Sequence, residues 1–235
     1  MVRVRVLSLM LAVTAVAVAA CGGSGSGSGS GRASASASPA LTLGQEFPAM
    51  KAAVRSATSM SMHGAVLENG KRVSLDLVLT KSGSVSGWVN EGGGKLTILV
   101  THGKSYVKVN RAFLQQAHVS VIFCAIVCAK YLELSSSMAR SLTSGLSLTS
   151  MDNQAFGTPP TPAQAKVRLV AAQYRGQPAW FGRYGSYTLD IARSGKPYLL
   201  AMTARGGQVV RFSDWDTASV PGPPPASQLV TPAQF

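Results

Sequence analysis

The chain has 235 residues, 46% of them hydrophobic and 13% charged, which suits one globular domain and excludes a wholly disordered chain. Its 22 basic and 9 acidic residues give a formal net charge of +13, yet the basic residues are dispersed and aromatic residues make up only 7%. That dispersal excludes a nucleic-acid-binding arm. Attraction to anionic headgroups or wall polymers, or plain solubility, remain as readings of the charge.

The N-terminus has the three-part plan of an export signal. Arg3 and Arg5 form a positive start, Val6 to Val18 is apolar except for Ser8 and Thr14, and small residues follow. The apolar run is short for a membrane span, which needs about 20 residues. The junction Val18-Ala19-Ala20-Cys21 resembles the bacterial lipobox. That resemblance implies that the Cys21 thiol receives a diacylglycerol and that cleavage removes residues 1–20 as a signal peptide. Residues 21–42 then hold the lipidated cysteine and a tether of almost pure Gly, Ser and Ala. A flexible coil of about 17 residues spans roughly 20–25 Å, so the domain at 43–235 is expected close to the bilayer.

The first element of that domain is a helix from Phe47 to Ala57, with Phe47, Met50, Ala53, Val54 and Ala57 on one face and Pro48 in its first turn. Strands follow. Ser61 to Glu68 meets Lys71 to Thr80 through Asn69-Gly70, a strong hairpin signal. In the second strand Val73, Leu75, Leu77 and Leu79 alternate with polar residues, as in an antiparallel strand buried on one face. Ser84 to Asn90, Leu96 to Val100 and Tyr106 to Val109 continue the meander. Arg111 to Ala129 reads as one helix, Lys130 to Leu134 as a strand, and Ser135 to Leu148 as a further helix. After a loop over Gly157 to Pro162, a second meander runs from Val167 through Ala179 to Gly182, Ser186 to Ala192, Tyr198 to Thr203 and Gln208 to Trp215. Pro221 to Pro225 ends it, and a tail follows. Two meanders around a helical middle predict an α+β fold: one large, curved antiparallel sheet, an open half-barrel, with helices on its concave face.

The lipobox and tether, the hairpin strand Lys71–Thr80, Gly103-Lys104-Ser105-Tyr106-Val107-Lys108-Val109 with Phe113, Lys130-Tyr131-Leu132-Glu133-Leu134, Ser194-Gly195-Lys196-Pro197-Tyr198 and Phe212-Ser213-Asp214-Trp215 come in an order that resembles actinobacterial lipoproteins of the LolA/LppX-like group. The resemblance covers roughly Ser61 to the end. It implies about eleven strands and a cleft between sheet and helices that holds the acyl chains of a lipid or lipoglycan. Val73, Leu75, Leu77, Leu79, Leu96, Ile98 and Val100 are the candidate lining residues. The same residues also suit an ordinary dry core. Lys108, Arg111 and Lys130 are the candidate rim charges for an anionic headgroup.

Other motifs resolve toward structure. Cys124 and Cys128 share a helical face in an oxidising compartment, where a disulfide and two buried thiols are both open. The apolar run around them is read as a buried helix or as a lip dipping into the membrane. His118 beside them does not complete a metal site, and no metal or other cofactor is expected. Gly103-Lys104-Ser105 lacks the first P-loop glycine, because Ile98 stands there. Gly83-Ser84-Val85-Ser86-Gly87 has Val85 where a nucleophile elbow needs serine. His63 and His102 have no carboxylate at a telling spacing, Asp214 and Asp216 suit a solvated turn better than an acid–base pair, and Trp88, Trp180 and Trp215 suit packing better than sugar stacking.

No catalytic residue is therefore expected. The sequence points to a monomeric, lipid-anchored protein on the extracytoplasmic face of the cell membrane that binds or carries an amphiphile non-covalently. The alternative is a binding module for a wall polymer or protein partner without a lipid cavity.

Overall fold

The computed structural model describes residues 41–68 and 70–230. The chain opens with α1 (Leu43–Ser56) and continues through β1 (Ser59–Glu68), β2 (Lys71–Thr80), β3 (Val85–Glu91), β4 (Gly94–Thr101) and β5 (Lys104–Val109). A helical middle follows: α2 (Arg111–Gln116), a 3-10 turn (Val121–Phe123), α3 (Cys124–Val127), the short strand β6 (Leu132–Glu133), α4 (Ser136–Thr143), α5 (Leu148–Phe156) and α6 (Pro162–Ala165). The second meander is β7 (Val170–Tyr174), β8 (Gln177–Tyr184), β9 (Tyr187–Ala192), β10 (Leu199–Ala204) and β11 (Val209–Ser213).

All eleven strands form one sheet in the order β6-β5-β4-β3-β2-β1-β11-β10-β9-β8-β7. Every neighbouring pair is antiparallel. The two meanders join where β1 pairs with β11, Met62 opposite Phe212. The end strands β6 and β7 do not pair with each other, so the sheet is open. The α+β architecture expected from the sequence is the one found.

Register explains which side is buried. Directly paired residues share a face, so one row runs Phe212, Met62, Leu77, Gly87, Ile98, Val107, Leu132 across seven strands. A second runs Gly182, Leu189, Met202, Val210, Gly64, Leu75, Val89, Leu96, Val109. Apart from Leu132 at the edge, the large side chains of these rows belong to, or pack against, the core cluster that also holds Leu43, Phe47, Met50 and Val54 of α1 and Leu148, Met151 and Phe156 of α5. The helices thus cover one face of the sheet.

Gly64 and Gly87 interrupt these apolar rows. Both have positive φ, +151° and +135°, and a Cβ on either would lie 2.0 Å from a carbonyl oxygen of the neighbouring strand, Val209 O and Asp76 O respectively. Only glycine permits the strands this backbone path, and glycine kinks of this kind let a sheet curve.

Several elements differ from the sequence expectation: the one helix expected over Ser135 to Leu148 is α4 alone, and α5 and α6 follow where no helix was expected. Arg111–Ala129 is not one helix but α2, a 3-10 turn and α3, with His118 at φ 54° between them. A continuous helix of that length needs a partner for its apolar surface. Instead the segment leaves β5 and returns as β6 at the sheet edge, where Leu132 pairs with Val107. The strand expected over Lys130–Leu134 shrinks to two residues, since Tyr131 bonds instead to the C-terminal segment through Gln228 O at 2.8 Å and Val230 N at 2.9 Å. The other end of that segment is held by Asp216 N donating to Ser59 O at 2.9 Å.

Candidate functional site

The candidate site is the apolar face between sheet and helices. Its floor includes Val73, Leu75, Leu77, Leu79, Leu96 and Ile98, each no more than 4% exposed, while Val100 is partly buried against the same cluster. The structure therefore brings all seven expected lining residues to one face. Helical spacing already placed Met50 on an apolar face, but the sequence did not single out Met60, Met62, Met151 and Met202, which join it in this cluster. Their thioether chains are unbranched and adapt to irregular space.

The helical roof is fixed at a few polar points. Thr42 and Gln45 form a reciprocal cap at the start of α1. Lys51 Nζ donates to Phe156 O at 2.8 Å, and Arg55 Nε donates to Asp152 Oδ2 at 2.8 Å. Asp152 is 6% exposed and its Oδ1 has no hydrogen-bond partner. The Phe47 and Phe156 rings meet with centroids 5.4 Å apart. Burial pushes the Glu46 carboxyl up from its ordinary value.

The expected rim charges separate. Arg111 and Lys130 stand at the two ends of the excursion that joins β5 to β6. Lys108 lies on the face of the sheet opposite the core. It pairs with Thr97, in the outward row Arg211, His63, Asp76, Trp88, Thr97, Lys108. Strand alternation forces this, because Val107 and Val109 take the core face. Lys95 Nζ sits 4.8 Å from the centroid of the Trp88 ring. In the second meander burial pushes the Asp190 carboxyl and the Tyr184 hydroxyl up.

The excursion is anchored firmly at its base. Asn110 Oδ1 accepts from Phe113 N and Lys95 N, both at 2.9 Å, and Asn110 Nδ2 donates to Gly93 O at 2.8 Å. Gln116 Nε2 donates to Glu91 O and Gly92 O, both at 3.0 Å, and Leu114 is buried. Beyond this base, Cys124 and Cys128 are joined by a disulfide with their Cα atoms 4.7 Å apart. The side chains around it are not a buried helix. Ile122 is 81% exposed, Phe123 47% and Val119 39%.

Asp214 and Asp216 form a turn, both with positive φ, at 51° and 65°. Asp216 is more than solvated there. Its Oδ2 accepts from Tyr198 OH at 2.6 Å and Lys196 Nζ at 3.0 Å, and its Oδ1 from Thr58 N at 2.8 Å. The Tyr198 bond leads in holding its pKa down at about 2. Trp215 stacks on Tyr198 at 4.4 Å and donates to Leu199 O. These contacts tie the β9–β10 turn to the end of β11 and to β1, which is a structural role.

Among the described residues there is no cluster of three or more metal-ligating side chains and no helix long and apolar enough to cross a membrane. Val18, Ala19, Ala20 and Cys21 lie outside the described residues.

No protein-family model matches this chain. No curated protein matches it by sequence. Among solved structures it is similar to LprF from Mycobacterium bovis, at 13% identity over 77% of this chain and 96% of that one, with a TM-score of 0.44. It is also similar to an uncharacterized conserved protein from Thermus thermophilus, at 11% identity over 79% of this chain and 97% of that one, with a TM-score of 0.33. MucB matches at 14% identity over 80% of this chain, which spans 62% of MucB, with a TM-score of 0.29. The fold assignment rests on the chain's own eleven-stranded sheet.

Proposed function

We propose that this chain is a lipid-anchored extracytoplasmic protein of the LolA/LppX-like group, and that its domain holds an amphiphile non-covalently between the sheet and helices α1 and α5. One observation carries the reading: five methionines meet in the buried apolar layer between an open sheet and its short helical roof, Met60, Met62 and Met202 from the sheet and Met50 and Met151 from α1 and α5. Side chains of this kind can rearrange around a guest with little strain. The lipobox-like Val18-Ala19-Ala20-Cys21 supports the anchor.

The mechanism makes and breaks no bond. Each buried CH₂ contributes about 0.8 kcal/mol, so an acyl chain of about sixteen carbons gains roughly 13 kcal/mol before ordering costs. Arg111 and Lys130 supply positive charge at the sheet edge for an anionic headgroup.

The test is to express residues 41–235 without the anchor, purify the protein, extract it with organic solvent and search the extract by mass spectrometry. A recurring lipid in near-stoichiometric amount is expected. Repeated lipid-free extracts would point instead to a dry core. The outward row with Trp88, Lys95, Lys108 and Arg211 favours a second reading in that event, binding of an anionic wall polymer on the other side of the sheet.

A further inference from the structure

The excursion between β5 and β6 is free of charge along its whole interior. From residue 112 to residue 129 there is no Asp, Glu, Lys or Arg, and Arg111 and Lys130 bracket the stretch. Its base is fixed by Asn110, Leu114 and Gln116, while its tip presents Val119, Ile122 and Phe123 to solvent. The Cys124–Cys128 bond closes the chain directly behind that tip. An apolar tip that is exposed, held in shape and charge-free suits neither a core element nor an ordinary soluble loop.

We propose that residues 119–128 form a membrane-docking lip that inserts Val119, Ile122 and Phe123 into the boundary between headgroups and acyl chains of an anionic bilayer. The charge pattern selects this occupant. Apolar side chains enter the boundary to a depth of about 5–10 Å, and cations flanking them meet anionic headgroups. Arg111 and Lys130 are placed at the two ends to do that. The disulfide staples the single turn α3 that directly follows Ile122 and Phe123, which lowers the ordering cost of insertion. The lip acts whether or not the sheet face carries a guest.

The test uses the full chain as isolated from the cell, reconstituted in phosphatidylcholine vesicles with and without phosphatidylglycerol. Phe123→Trp places a fluorophore at the tip, and the wild-type spectrum is subtracted to remove Trp88, Trp180 and Trp215. The added emission should shift to the blue in vesicles, be quenched by acyl-brominated phosphatidylcholine, and gain quenching when phosphatidylglycerol is present. Adding Ile122→Asp should remove most of that quenching while the far-ultraviolet circular dichroism stays unchanged. Val119→Trp serves the same purpose if Phe123→Trp does not fold. Emission that stays water-like in vesicles would overturn the lip, and so would emission already blue-shifted without lipid, which would mean burial within the protein or against a second copy. Lipid extraction of the anchor-free domain gives its result independently of this one, so failure of the lip and failure of amphiphile binding are told apart.

Discussion

Replacing Gly87 by alanine should damage this protein far more than replacing Gly83, four residues away. At Gly87 φ is +135° and the new Cβ would lie 2.0 Å from Asp76 O and 2.8 Å from Leu77 Cα, backbone atoms of the paired strand that cannot swing aside. At Gly83 φ is +84° but nothing lies within 4 Å. Gly83→Ala therefore costs only the left-handed penalty, about 1–2 kcal/mol. Gly87→Ala adds overpacking of about 1–3 kcal/mol to backbone strain of about 1–3 kcal/mol, giving roughly 2–6 kcal/mol. For a domain of this size that lowers Tm by roughly 5–20 °C. Thermal unfolding followed by circular dichroism on wild type and both variants measures the contrast. Equal Tm values for the two variants would refute the reasoning, because it would mean that the β2–β3 register is not held at Gly87.

Leu77→Ala removes a side chain 1% exposed at the centre of the apolar face and should cost about 2–5 kcal/mol, read from urea unfolding. Arg55→Ala leaves the buried Asp152 carboxylate without its cation and should cost about 1–3 kcal/mol, again by urea unfolding. The Asp216 pKa lies below its unfolded value, so the stability it contributes is present above pH 4 and is lost as pH falls toward about 2. After discount for its exposure this amounts to about 1 kcal/mol, and Asp216→Asn should flatten that acid limb of the stability-against-pH curve. Without reductant, iodoacetamide should leave Cys124 and Cys128 unlabelled in an intact-mass measurement, and Cys124→Ser should lower stability by up to about 2 kcal/mol for the short ring it opens.

How legible the fold was depended on how local its determinants are. The strand Lys71–Thr80 could be read directly, because alternation every two residues records which face is buried. The pairing of β1 with β11 could not, because it joins segments about 150 residues apart and no local pattern encodes it. Arg111–Ala129 misled because its second half, Val121 to Ala129, is an unbroken apolar run, and periodicity cannot distinguish a buried helix from broken turns standing at a sheet edge. Gly87 read as half of a failed nucleophile motif; its actual constraint is a neighbouring carbonyl oxygen, visible only once strands pair. At the candidate site the seven floor residues followed from alternation. The methionines of α5 and β10 that complete it, and the outward direction of Lys108, depended on tertiary register.

Native mass spectrometry of the anchor-free domain, taken from the cell without detergent, tests the central claim most directly. The expected result is a second species heavier by the mass of one amphiphile, released by collisional activation and enriched over protein stripped with organic solvent. A single species at the bare polypeptide mass, unchanged after incubation with phospholipid micelles, would contradict it.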